Sequence, residues 1–246
     1  MLRGLLAKFG GRYISKPDIA QLLEQLDSSD PAEGKKSKEA LERLCYPPRS
    51  AGGFTVWTWR QYSAFVQRHQ RWFRSSPLVS ALLDALDNKG VASRVFAIRA
   101  LAANLEPKAF EKIVAALQDA SSEVRAAAAI SLLLYHYARY PCPVGPLIDL
   151  LSDPEETPRQ YAANTLGSIA DPLARQPLLR MLDSRSWRDR WCALHALGDI
   201  CDEESLPLVR RHLFDPTKRV RKAAKAALAG YDRRRRTTLA RSRPHR

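Results

Sequence analysis

Residues 151–166 read LSDPEETPRQYAANTL, and residues 213–228 read LFDPTKRVRKAAKAAL. Both stretches begin with leucine, carry arginine eight residues later and alanine three residues after the arginine, and end with leucine. Three more stretches share this register without gaps, at residues 86–101, 117–132 and 182–197. A motif that returns at a fixed period predicts an array of similar structural units.

The spacing of the motif defines the length of one unit. Its arginines follow one another at intervals of 31, 34, 31 and 31 residues. The repeated positions are Arg94, Arg125, Arg159, Arg190 and Arg221, followed by Ala97, Ala128, Ala162, Ala193 and Ala224.

Each unit is predicted to form two helices joined by a tight turn. In the first helix apolar residues lie three and four residues apart, as Val114 and Ile113 do from Leu117. A polar break with an acid follows, such as Asp153-Pro154. Neither helix can bury its apolar stripe alone, so neighbouring pairs must stack into one core. The predicted fold class is all-α: a right-handed α-solenoid of about five to six antiparallel helix pairs.

The units resemble HEAT repeats, especially the short bacterial form first associated with phycobilisome lyases. In that family an aspartate in the turn and an arginine six residues later form a ladder of ion pairs between successive repeats. Three pairs match this spacing and two are one residue longer; they are Asp119/Arg125, Asp153/Arg159 and Asp215/Arg221, then Asp87/Arg94 and Asp183/Arg190. The resemblance covers roughly residues 78–231, and it is specific for the fold but weak for function.

Other segments complete the predicted organisation. Residues 19–44 resemble a degenerate pair with an enlarged turn, suited to cap the end of a solenoid. The predicted segments are a basic N-terminal segment (1–18), the cap (19–44), a loop with a basic and aromatic amphipathic helix (45–77), the HEAT-like repeats (78–231) and a disordered Arg-rich tail (232–246).

The net charge of +14 lies almost wholly outside the repeats. Residues 1–16, 45–76 and 232–246 carry +4, +5 and +6, so the rest of the chain sums to −1. The four cysteines show no C-x-x-C spacing, which favours a reducing compartment and a cytoplasmic location. The acid-free start of the chain leaves import into an organelle as the alternative.

The amphipathic helix and the tail are the two basic candidates for binding. The aromatic side of the helix is expected to dock on the solenoid, while its arginines face water, grip phosphates or an acidic partner, or lie on a membrane surface. The tail either binds nucleic acid or an acidic groove through its charge, or only keeps the protein soluble. The basic stripe is Arg60, Arg68, Arg71 and Arg74, and the basic tail is Arg233, Arg234, Arg235 and Arg236.

A third candidate lies on the second helices of the repeats. Positions −3, +1 and +5 from each repeat arginine point away from the core alanine, and in HEAT-like solenoids this row lines the concave surface. The fourth repeat is the outlier, because its row holds two tryptophans and a histidine that resemble an interface hot spot. The alternative is that these rings only pack within the fold. We call the whole set the Trp191 patch: Trp187, Trp191, His195, Gln160, Asn164, Lys218 and Lys222.

No motif for catalysis is found in the sequence. It has no phosphate-binding loop, no G-x-S-x-G and no H-E-x-x-H, and its histidines form no His-Glu pair of the kind expected in a HEAT-repeat di-iron hydroxylase. We therefore predict no metal and no cofactor. The segment SWRDRW (186–191) offers an analogy to HEAT-like DNA glycosylases, although Arg190 is also a repeat arginine.

The sequence therefore favours a non-enzymatic scaffold that binds a protein or peptide, expected to be acidic, through its concave face. The first alternative is a nucleic-acid-associated protein, either a glycosylase-type repair protein or a component of a ribonucleoprotein. The second alternative, implied by the resemblance alone, is a bilin lyase-like protein.

Overall fold

The computed structural model describes residues 15–45 and 70–241. Within these ranges every regular element is helical, which confirms the predicted all-α class. Several sequence predictions lie outside the described residues: most of the basic N-terminal segment, the loop after Cys45, Arg60 and Arg68 of the basic stripe, and residues 242–246 of the tail.

The described chain divides into two compact units, one up to Lys112 and one from Ile113 onward. The helices are α1 (Lys16–Leu26), α2 (Pro31–Cys45), α3 (Pro77–Asn88), α4 (Val91–Ala103), α5 (Phe110–Ala115), α6 (Ser122–Tyr137), α7 (Val144–Asp149), α8 (Glu156–Ile169), α9 (Arg175–Met181), α10 (Trp187–Ile200), α11 (Leu206–Arg211) and α12 (Lys218–Arg241). Short 3₁₀ turns flank the short first helices, as at Leu150–Ser152 and Pro172–Ala174.

In the first unit, α1 packs against α2 and α3, and α3 packs against α4. The turn after α1 is short rather than enlarged, because Asp30 accepts a hydrogen bond from the Ala32 N–H at 2.9 Å and Pro31 begins α2. Proline is well suited to the first turn of a helix, where its missing N–H costs nothing.

The turn after α1 also caps α4. The Ala92 N–H donates to Asp27 Oδ1 at 2.8 Å, and Ser93 Oγ donates to Asp27 Oδ2 at 2.5 Å. Gly90 precedes α4, and a methyl group there would lie 2.1 Å from Asp27 Cγ. Gly90 has no side-chain oxygen to cap the helix, so Asp27 supplies the capping oxygen instead.

Residues 70–75 are helical and contain the last part of the predicted amphipathic helix. The Phe73 ring is fully buried, as the docking interpretation of the aromatic side expects. Arg74 donates from Nη2 to the Leu105 carbonyl at 3.1 Å and to the Asn104 carbonyl at 3.5 Å, so part of the basic stripe closes the end of α4. Arg71 is exposed.

In the second unit, four second helices pack side by side in chain order: α6 on α8, α8 on α10, and α10 on α12. The first helices α7, α9 and α11 each pack on the second helix that follows. The alanine three residues after the repeat arginine is fully buried in α6, α8, α10 and α12. Its small side chain lets neighbouring helices approach closely.

Glycine allows an even closer approach between second helices. A methyl group at Gly167 of α8 would lie 2.6 Å from Ala196 Cα and 2.9 Å from Ala196 Cβ of α10. One repeat later, a methyl group at Gly198 would lie 3.1 Å from Ala227 Cα. Helix α10 therefore meets α8 at Gly167 and α12 at Gly198, backbone to backbone in both cases.

A ladder of ion pairs connects successive repeats of the second unit. Each ladder arginine donates to a carboxylate of the following repeat and, through Nη1, to two carbonyls of its own turn, at 2.7–3.1 Å. The carboxylates are nearly buried, with 4% of each side chain exposed. The pairs are Arg125 with Asp153, Arg159 with Asp189, and Arg190 with Asp215.

The carboxylate of the fourth repeat comes from a position that the sequence pattern did not indicate. Asp183 lies on the surface, 4.0 Å from Arg211, and takes no part in the ladder. Ser184 occupies the turn position and accepts from the Ser186 N–H at 3.2 Å. Ser184 Oγ then donates to Asp189 Oδ2 at 2.8 Å, and Asp189 receives the Arg159 guanidinium. A serine and a displaced carboxylate together replace the usual aspartate.

The ladder carboxylates predict how stability depends on pH. Burial alone raises the pKa of Asp153, but hydrogen bonds from Arg125 and the Glu155 N–H outweigh it, so the pKa falls below its ordinary 3.8. The pKa of Asp215 is lowered in the same way by Arg190 and the Thr217 N–H.

A pKa that is lower in the folded state means that the unfolded chain binds protons more readily. The stability that these carboxylates contribute is therefore fully present above their ordinary pKa. It is lost as the pH falls through their pKa in the folded state. As the pH is lowered from 5 to about 2, we expect the urea concentration at the midpoint of unfolding to decrease for the wild type. It should decrease less for Asp153→Asn. An equal pH dependence in both proteins would contradict this account.

The second unit ends differently from the sequence prediction. Helix α12 continues to Arg241, so the first ten residues of the predicted disordered tail are helical. No glycine or proline interrupts residues 232–241, and arginine, leucine and alanine have high helix propensity. Tyr231 anchors the middle of α12, because its hydroxyl donates to the Leu197 carbonyl of α10 at 3.1 Å.

Candidate functional site

The Trp191 patch lies on three helices that pack side by side in the second unit. Gln160 and Asn164 belong to α8, the two tryptophans and His195 to α10, and Lys218 and Lys222 to α12. Of these seven residues, Gln160 and Trp187 are half-buried and the others are exposed. The packing of α8 on α10 and of α10 on α12 places the predicted residues on adjacent helices.

Trp191 and His195 form an aromatic pair one helical turn apart. Their ring centroids lie 4.3 Å apart and their planes are inclined by 57°. Trp191 keeps 38% of its surface exposed, although it is among the largest apolar side chains in the chain. Partial burial lowers the pKa of His195 below its ordinary value, and the carboxylate of Asp199 opposes that shift.

Trp187 stacks against two guanidinium groups. Arg188 Cζ lies 4.8 Å from the ring centroid, and Arg219 Cζ, which belongs to α12, lies 5.2 Å from it. Both distances fall within the range of cation–π attraction. Trp187 therefore links the start of α10 to the start of α12.

Glu156 of α8 holds the other side of the α10 N-terminus. The Ser186 hydroxyl donates to Glu156 Oε1 at 2.7 Å, and Arg188 Nη1 lies 3.5 Å from Glu156 Oε2. These contacts fix the first turn of α10, so the tryptophans project from a helix whose start is held by both neighbouring helices.

The cations of α12 differ from Glu156 in their ion pairing. Within residues 15–45 and 70–241, no acid lies within 4.0 Å of the charged groups of Lys218, Arg219 or Lys222. All three side chains are exposed. The α12 side of the patch is therefore electropositive, without a paired carboxylate among the described residues.

Sequence reasoning missed Arg188 and Arg219. Neither arginine occupies positions −3, +1 or +5, and only the packing of α12 on α10 brings Arg219 over the Trp187 ring. The only sequence signal was the direct succession of Trp187 and Arg188, which is too common to be informative.

Three other polar groups of α10 serve the fold. Asp189 and Arg190, which suggested the DNA glycosylase analogy, are both members of the ladder. Burial raises the pKa of Cys192 to about 12, with Asp189 and Glu156 adding to the shift, so its thiol stays protonated at neutral pH. In the described part of the chain, no three His, Cys, Asp or Glu side chains are grouped as metal ligands would be.

The basic tail is only partly described. Arg233 is exposed near the end of α12. Arg234, Arg235 and Arg236 lie in the same helix, and their side chains are outside the described residues.

Comparison with known proteins identifies the repeats. Residues 144–229 match the family model of HEAT repeats, a region that contains the whole Trp191 patch. No curated protein matches the chain. Within the described residues, no helix is both long and apolar enough to cross a membrane.

Solved structures with similar folds include designed and natural repeat proteins. A designed armadillo repeat protein in complex with the peptide (KR)4 is 22% identical, with a TM-score of 0.56 over 87% of this chain and 99% of that chain. The CpcE–CpcF complex of phycocyanin lyase from Nostoc sp. PCC7120 is 21% identical, with a TM-score of 0.56 over 76% of this chain and 69% of that chain. These similarities show an armadillo/HEAT-type fold.

Proposed function

We propose that this HEAT-repeat chain is a scaffold that binds a protein or peptide partner through the Trp191 patch. The observation that carries the proposal is the exposed ring pair of Trp191 and His195, with centroids 4.3 Å apart, on a helix held from both sides. Tryptophan is enriched among residues that dominate binding energy, because it buries a large area at a small entropic cost.

The surroundings of the ring pair support the same function. A hot spot is typically an aromatic anchor surrounded by polar groups that exclude water once the partner is bound. Here Gln160 and Asn164 lie on one neighbouring helix, and Lys218 and Lys222 on the other. The patch thus has an apolar centre and a polar rim, as protein interfaces do.

The armadillo fold provides a precedent for this mode of binding. The similar designed protein holds a peptide of alternating lysine and arginine. The present patch carries cations of its own, so the proposed partner has the opposite charge. The likeness to the lyase complex concerns the fold and supports no lyase activity here.

Trp191→Ala tests the proposal directly. The wild type is used to capture partners from native lysate, the captured protein is identified and purified, and its affinity is then measured by titration. We expect Trp191→Ala to weaken binding by about 2 kcal/mol, or roughly 30-fold, because the main apolar anchor is removed.

Phe214→Ala is the matched control, since Phe214 is 88% exposed but lies in the turn before α12 rather than in the patch. It is expected to leave the affinity unchanged. If Trp191→Ala binds the purified partner as tightly as the wild type does, the patch is not the binding site.

Nucleic-acid binding is the second candidate, favoured by the exposed cations of α12 and the arginines that follow them in the same helix. Nuclease treatment and high salt separate the two candidates, because phosphate contacts weaken steeply with salt. A captured complex that nuclease dissolves, and that is lost when Arg233, Arg234, Arg235 and Arg236 are all replaced by glutamine, would favour nucleic acid.

A further inference from the structure

Charge changes sign across the three helices of the Trp191 patch. Helix α8 contributes Glu156 and two neutral amides, while α12 contributes Lys218, Arg219 and Lys222. The aromatic pair lies on α10, which packs against both α8 and α12. A ligand that crosses the patch therefore meets a polar or acidic edge first, then an apolar centre, then a basic edge.

The two edges also differ in how far their charges are neutralised. Glu156 already accepts a hydrogen bond from Ser186 at 2.7 Å and lies beside Arg188. The three cations on α12 have no carboxylate within ion-pair distance in the described chain. Like charges on one helix turn repel one another, so an anionic ligand is favoured at α12 and not at α8.

Arg219 is already oriented for such a ligand. Its Cζ lies over the Trp187 ring, 5.2 Å from the ring centroid, and this cation–π contact restrains the side chain before anything binds. A guanidinium in a cation–π contact still has N–H groups that can donate a bidentate hydrogen bond to a carboxylate. Binding then requires less ordering of this side chain than an unrestrained arginine would.

The same features fit a peptide better than a nucleic acid. A nucleic acid carries phosphates along its whole length and would bring them close to Glu156 and Asp199, whereas a peptide can confine its acids to one end. The tryptophan rings are also partly engaged, Trp187 by two guanidinium groups and Trp191 by His195. Stacking of bases needs open aromatic faces.

We propose that the Trp191 patch recognises an extended peptide that places an apolar side chain on Trp191 and His195 and an acidic cluster on Arg219 and Lys222. This inference rests on the proposed function and names its partner class. Packed helix axes lie about 8–10 Å apart and an extended chain advances about 3.3 Å per residue. The acids should therefore begin about three residues from the apolar anchor.

The test uses synthetic probes and the full chain. Fluorescein-labelled peptides carry one phenylalanine followed three residues later by three glutamates, or by three glutamines. A single-stranded oligothymidylate is the nucleic-acid probe. Binding is measured by fluorescence anisotropy for the wild type, for Arg219→Gln/Lys222→Gln, and for Arg210→Gln, which removes an exposed cation from α11 outside the patch.

We expect the glutamate peptide to bind the wild type at least 10-fold more tightly than the glutamine peptide. Arg219→Gln/Lys222→Gln should lower the affinity for the glutamate peptide at least 10-fold, and Arg210→Gln should change it less than 2-fold. Equal binding of the two peptides, or full binding by the double variant, overturns the inference, as does an oligothymidylate that binds more tightly than the glutamate peptide.

The outcomes separate this inference from the proposed function. Suppose that Trp191→Ala abolishes binding of the natural partner, but the wild type binds the glutamate and glutamine peptides equally. The scaffold function then stands and the acidic partner class is wrong. If Trp191→Ala leaves the natural partner bound, the proposed function fails whichever peptide is preferred.

Discussion

Asp189→Ala is expected to lower the free energy of unfolding by about 3 kcal/mol, because removing one member of a buried ion pair leaves the other unpaired. Asp189 is 3% exposed and accepts from Arg159 Nε at 3.0 Å and from Ser184 Oγ at 2.8 Å. Its loss would leave the Arg159 guanidinium with only the carbonyls of its own turn. Urea unfolding at pH 7, followed by circular dichroism, measures the change.

Asp183→Ala is the control for this prediction. Asp183 stands in the same turn, but its side chain is exposed and lies 4.0 Å from an equally exposed arginine. Surface pairs of this kind contribute little, so the variant should stay within about 0.5 kcal/mol of the wild type. Equal effects at Asp183 and Asp189 would mean that the ladder does not pass through Asp189.

Gly167→Ala is expected to lower the free energy of unfolding by about 2 kcal/mol, since extra volume in a tightly packed interface forces the helices apart. The added methyl group would lie 2.6 Å from the Ala196 backbone, which cannot move aside as a flexible side chain would. Helix propensity alone predicts the opposite sign, because alanine favours a helix by up to about 1 kcal/mol over glycine. The sign of the measured change therefore identifies the dominant effect.

Gly145→Ala isolates the propensity term. Gly145 lies in α7, and a methyl group there would meet no atom within 4 Å beyond its chain neighbours and the backbone of its own helix. This variant should be as stable as the wild type or slightly more stable, in the same urea titration. Stabilisation by both substitutions would show that α8 and α10 do not approach as closely as the structure indicates.

The ladder shows which features the repeat pattern alone could predict and which it could not. The register of leucine, arginine and alanine predicted the helix pairs and the fold class, because packing at a fixed period restricts these positions to particular residue types. It did not identify Asp189, since a carboxylate next to the repeat arginine has no fixed place in the motif. Only the fold brings Asp189 and Arg159, thirty residues apart, within 3.0 Å.

The Trp191 patch was assembled from helical geometry before its neighbours were known. A rotation of about 100° per residue placed Trp187, Trp191 and His195 on one face of α10. Whether this face binds a partner stays a prediction that Trp191→Ala tests. The contact of Arg219 with the Trp187 ring depends on how far α12 is displaced along α10, and a linear pattern does not contain that distance.

The sequence by itself determined the class of fold and the length of each repeat, because these follow from local periodicity and from the need to bury apolar stripes. The tertiary structure decided which carboxylate completes each ladder step, which glycine lets two helices touch, and which arginine stacks on Trp187. Those choices depend on contacts between residues about thirty positions apart. Their distances are set by the packing of whole helices, which no short stretch of sequence specifies.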